Sequence, residues 1–219
     1  MGTGRLAAAA AAFAVGLLLS EPAAGLPREE AILSAKDHPS AETRALAEAH
    51  ADELLGLYED VRRCAPRLDF QRHGIAFQRP RGAAAAAPHL TLWVWLDPGR
   101  PPRGPDLVAR AAEAFRRHGQ GLFRRLMART PVFVDPRAGG YGLILTWLKP
   151  EPVGGRLVGE SLALFADKLT VANFVHDTIA ATTFLTRVEV RAFDGQTEVR
   201  LPRLAVEDDD GAAAPREAC

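Results

Sequence analysis

The stretch HLTLWVWLDP, residues 89–98, decides the fold. Side chains of an extended chain point alternately to opposite faces. Leu90, Leu92, Val94 and Leu96 therefore share one face, and His89, Thr91, Trp93 and Trp95 share the other. Both faces are apolar, so either both are covered or the tryptophan face binds something. Asp97-Pro98-Gly99 ends the strand.

Downstream, Pro105 suits the first turn of a helix over residues 106–129. Its apolar stripe is Val108, Ala111, Phe115, Leu122 and Leu126. Gly119 and Gly121 weaken its middle by about 1 kcal/mol each relative to alanine, so a kink or break is expected there. Residues 131–150, PVFVDPRAGGYGLILTWLKP, read as a short strand, a turn and a second strand over 141–148. Residues 156–167 read as another strand. A helix follows over 167–181, capped by Asp167, with Val171, Val175 and Ile179 facing inward. Residues 184–204 read as a hairpin turning at Asp194-Gly195, a type I′ signal.

Upstream, Leu46, His50, Leu54, Leu57, Val61 and Cys64 recur on one helical face, with Ser40 as the N-cap and Pro66 as the stop. Residues 68–80 read as one or two short strands around His73-Gly74, and 81–88 as a linker. The order of elements gives an α+β fold: an antiparallel or mixed sheet with about three helices packed mainly on one face.

The N-terminus carries a different kind of information. Arg5 is followed by the apolar run LAAAAAAFAVGLLL (6–19) and then by small residues up to Gly25. That is the pattern of a secretory signal peptide, and the run is shorter than the roughly 20 residues a spanning helix needs. The expected organisation is a signal peptide over 1–25, a flexible lead-in over 26–40, one α+β domain over 41–205 and a disordered acidic tail over 206–219. After cleavage no membrane span is expected, and the product is periplasmic or secreted. Lys plus Arg equals Asp plus Glu at 27 each, so no global field draws the chain to nucleic acid. Of the two cysteines, Cys64 reads as a small buried hydrophobe and Cys219 as the end of a loose tail, so the sequence argues against a bond between them.

Reactive residue types are scattered. Ser161, Asp167 and His176 follow one another in the chain order of a hydrolase triad, but GESLA lies inside a strand rather than on a strand-to-helix elbow. The six histidines show no H-x-x-x-H or H-E-x-x-H spacing, so no metal and no cofactor is expected. Trp93, Trp95, Tyr141 and Trp147 are the candidates for an apolar or glycan contact. Arg110, Arg117 and Arg124, seven residues apart on one helix, are the candidates for an electrostatic rim. The sequence therefore reads as an exported, non-enzymatic binding or assembly-accessory protein. Its partner would be another exported protein, a glycan or an anionic envelope component. The rival is an exported hydrolase, possibly metal-dependent, with a site near Asp135, Asp167 and His176.

Overall fold

A computed structural model describes residues 25–80 and 86–201, with Leu204 and Val206. The expected signal peptide, apart from Gly25, and the acidic tail beyond Val206 lie outside the described residues.

Six strands form one mixed sheet in chain order: β1 Asp69–Gln78, β2 His89–Trp95, β3 Gly140–Leu148, β4 Gly159–Asp167, β5 Glu189–Phe193 and β6 Glu198–Arg200. Neighbours are antiparallel except β2 and β3, which run parallel. A parallel pair needs a crossover. Here the crossover carries α4 Leu107–Ala114, α5 Gln120–Met127 and α6 Thr130–Val134. Before β1 come α1 Arg28–Ala31, α2 Ala41–Ala49 and α3 Ala51–Cys64; α7 Lys168–Val175 and α8 Ala181–Arg187 join β4 to β5.

The fold is α+β, with more helical segments than the three expected. The differences have local causes. The stripe over 41–64 breaks at His50, whose backbone leaves the helical region and ends α2. The expected break near Gly119 is a π-helical turn over Phe115–Gly119, and a side chain on Gly119 would strike the Phe115 ring. Residues 131–134, read as strand, are helical because Pro131 sits in the first turn of α6, where its missing N–H leaves no bond unmade, rather than in a ladder. Residues 184–187, read as part of the hairpin, belong to α8. The hairpin closes over four residues rather than two. Phe193 pairs with Glu198, and the Asp194 carboxylate accepts the Gln196 and Thr197 N–H groups at 2.8 Å each.

Residues 26–40, expected to be loose, carry α1 and a 3-10 turn and dock on β1. Leu33 N–H donates to the Ile75 carbonyl at 3.0 Å, and Ile32 bridges Ile75. β1 is bulged between Phe70 and Ile75, where His73 takes a left-handed φ of 57°. Gly74 is required there because the Trp93 carbonyl oxygen occupies the place of a Cβ.

Helices cover the sheet on one face. Tyr58 of α3 stacks on Phe70 of β1, with centroids 4.9 Å apart, and the Arg110 guanidinium of α4 meets the Glu160 carboxylate of β4. Leu90, Leu92, Val94, Leu143, Leu145, Leu162 and Leu164 fill this layer and are fully buried. Beyond them, Phe115, Phe123, Phe174 and Phe184 interlock through ring pairs 4.2–6.4 Å apart, which ties α5, α7 and α8 together. Leu201, Leu204 and Val206 join the same core.

Candidate functional site

The opposite face of the sheet differs in both burial and chemistry. Trp93 and Trp95 of β2, Ile144 of β3, and Ala163 and Phe165 of β4 form a half-buried apolar strip across three adjacent strands. Two glycines let the rings lie along the sheet. A Cβ on Gly142 would strike the Phe165 ring, and one on Gly159 would strike the Trp95 ring at 2.9 Å. Phe165 thus covers a glycine of the adjacent strand β3, a packing that also pins register, and Trp95 reaches across β3 to a glycine of β4.

Both indole N–H groups are satisfied within the sheet. Trp93 Nε1 donates to Thr146 Oγ1 at 2.8 Å, and Trp95 Nε1 donates to Gln71 Oε1 at 2.6 Å. The rings therefore have no N–H left to aim at a ligand. What they present is π surface, which suits CH groups and flat apolar surfaces. At the β5 side of this face, the Arg191 guanidinium is held by Glu189 and Glu198.

The sequence candidates fall into three separate places. Trp93 and Trp95 lie on this free face. Tyr141 and Trp147 lie on the helix-covered face, fully buried, so the four aromatics do not form one platform. The Tyr141 hydroxyl has no hydrogen-bond partner, and burial pushes its pKa up. Trp147 Nε1 donates to Glu160 Oε2 at 2.8 Å. Arg110 belongs to the same buried network. Its Nε and Nη2 donate to the two Glu160 oxygens at 2.8 and 2.7 Å, and its Nη1 donates to the Gly104 carbonyl at 3.1 Å. The expected arginine stripe is thus broken at its first member, because β4 offers a buried carboxylate under α4. Arg117 and Arg124 remain on the helix surface. Arg117 is paired with Glu113 and bonded to the Arg100 carbonyl; Arg124 reaches the Val175 carbonyl at 3.4 Å.

The triad order does not become a triad. Ser161 and Asp167 sit six residues apart on one strand, about 20 Å at the rise of an extended chain. Asp167 caps α7, accepting the Thr170 N–H at 2.9 Å and the Thr170 hydroxyl at 2.7 Å. His176 is exposed at the far end of α7.

No family model, curated protein or solved structure matches the chain. The reading of function rests on the site alone.

One polar cluster escaped the sequence reading. His50 Nε2 lies 2.8 Å from Asp135 Oδ2, with both side chains largely buried. Arg137 grips the same carboxylate through its backbone N–H, Nε and Nη2 at 2.6–3.2 Å. The Arg137 bonds are the main reason the Asp135 carboxyl is held far below the usual range, with the His50 bond adding to them. Lys168 Nζ donates to the Asp135 carbonyl, and burial pulls its own pKa down. Asp135, one of the hydrolase candidates, is therefore saturated with donors, and a carboxylate so engaged is a poor general base. The one available hint was His50 itself, a polar residue in the middle of an apolar stripe. Among the described residues no group of three or more His, Cys, Asp or Glu is placed to hold a metal ion.

Cys64 is buried, as its place on the apolar stripe implies, but it is disulfide-bonded, where the sequence argued against a bond. The chain's other cysteine, Cys219, lies outside the described residues. Among the described residues no helix is long and apolar enough to cross a membrane.

Proposed function

We propose that this is an exported, non-catalytic binding module that works through the free face of its sheet, with Trp93 and Trp95 as the contact. The observation that carries the reading is the half-buried aromatic strip on the side away from the helices, whose indole N–H groups are already spoken for. Such a surface favours stacking over hydrogen-bonded recognition, which points to the apolar CH faces of a neutral glycan. Export is supported by the N-terminal charge, apolar run and small-residue pattern, and by the bonded state of Cys64, since disulfides persist in oxidising compartments.

The test is a fluorescence titration of the chain from residue 26 with cellohexaose and chitohexaose. A saturable change in tryptophan emission that disappears in Trp95→Ala, while Arg124→Ala binds normally, supports the reading. Absence of any saturable change with either sugar removes the glycan assignment.

The hydrolase reading has one observation in its favour, the His50–Asp135 contact at 2.8 Å. It would require Asp135 to be released from Arg137, and turnover of acetyl esters or peptides lost in His50→Ala would revive it.

A further inference from the structure

We propose that residues 32–38 form an acid-releasable clasp on the outer edge of β1, with neutral His38 as its lock. The edge of a sheet exposes unpaired backbone groups and must be covered or blunted. Here the covering is made by the chain just before α2. Leu33 N–H donates to the Ile75 carbonyl at 3.0 Å, and one turn later the His38 ring takes over.

His38 is 2% exposed. Its Nδ1 lies 3.0 Å from the Ser34 carbonyl, and its Nε2 lies 3.3 Å from the Phe77 backbone nitrogen. A carbonyl can only accept and an N–H can only donate, so the ring must carry its one proton on Nδ1 and accept through Nε2. Both contacts hold together only in the neutral ring. On protonation both nitrogens become donors, Nε2–H faces Phe77 N–H, and a charge sits in a buried site.

The surrounding charges are few. Asp37, on the same turn, favours the charged ring, and Arg44 of α2 opposes it. Lys36 on that turn is exposed, and Arg79 at the end of β1 is paired with Glu42 of α2. Burial is the largest influence and holds the ring below the ordinary histidine value. The neutral lock is therefore kept through neutral pH and lost on acidification. Loss frees the Phe77 N–H and the Ile75 carbonyl together, because one segment supplies both partners.

The experiment is amide hydrogen exchange on the full chain between pH 7 and pH 4.5, read as protection factors, with His38→Gln alongside. Gln offers an acceptor at about the place of Nε2 but does not titrate. In the unaltered chain, protection at Phe77 and Leu33 should fall by about tenfold or more relative to Leu143 and Leu145 in the sheet centre. In His38→Gln the ratio should stay flat. An equal fall in both proteins, or a parallel fall at Leu143 and Leu145, would overturn the clasp by assigning the change to other groups or to global unfolding. Should His38→Gln not fold, ¹⁵N shifts of the His38 ring decide: a neutral ring protonated on Nδ1 at pH 7 that converts on acidification alongside the loss at Phe77 supports the lock. A ring protonated on Nε2, or already charged, at pH 7 contradicts it.

Discussion

The two faces of the sheet solve different problems with the same residue type. On the helix side, Trp147 is buried and its N–H is spent on a buried carboxylate, Glu160, which Arg110 neutralises. On the free side, Trp93 and Trp95 keep part of their rings in solvent and spend their N–H groups on uncharged neighbours, Thr146 and Gln71. All three tryptophans hold odd positions, so parity alone does not separate them; register does, because Trp93 pairs with Ile144 and Val94 with Leu145, which sets the odd residues of β3 on the face opposite the odd residues of β2. The lesson is that a tryptophan's likelihood of touching a ligand is set by what covers its face, which the strand alone does not encode.

The contrast can be strained most by attacking the covered face. Glu160→Ala leaves Arg110 as a buried charge without its partner and takes away the acceptor of Trp147. A loss of about 3–5 kcal/mol is expected in urea unfolding. A loss below about 1 kcal/mol would mean that the pair is solvated and that the two faces differ less than described.

Acid should act next. His118 is pushed down to about 4, mainly by burial with Arg117 adding, and burial lowers His38 and His89 too. A group whose folded pKa lies below its unfolded value takes up protons first in the unfolded chain. Its stabilisation is complete above about pH 6.5 and is lost as pH falls toward the folded value. Asp135, held low chiefly by Arg137, adds the same sign below about pH 4. The urea midpoint should therefore fall steadily from pH 7 to pH 4. A flat profile across pH 7–5 would show that these histidines are not buried in the folded state.

Much of this architecture was legible in the sequence, because periodicity reports which face is apolar. The β2 alternation and the α3 stripe come from it, the Ser40 and Asp167 caps from their side-chain oxygens, and the one-sided packing of helices from the order of elements. The rest depended on partners distant in the chain. Nothing local marks Arg110 as buried; that follows only from Glu160 arriving beneath α4, fifty residues later. His50 could be seen as odd but not as the neighbour of Asp135, eighty-five residues away. Residues 26–40 lacked a stripe of their own because their order comes from hydrogen bonds to the β1 edge. Residues 131–134 and 184–187 were too short for a period to distinguish helix from strand.

The most direct test of the two-faced sheet is acrylamide quenching of three variants that each retain one tryptophan, the other two being replaced by phenylalanine. The account expects Trp93 and Trp95 to be quenched several-fold more efficiently than Trp147. Equal shielding of all three would mean that the second face is covered as well, and the binding surface would be lost with it.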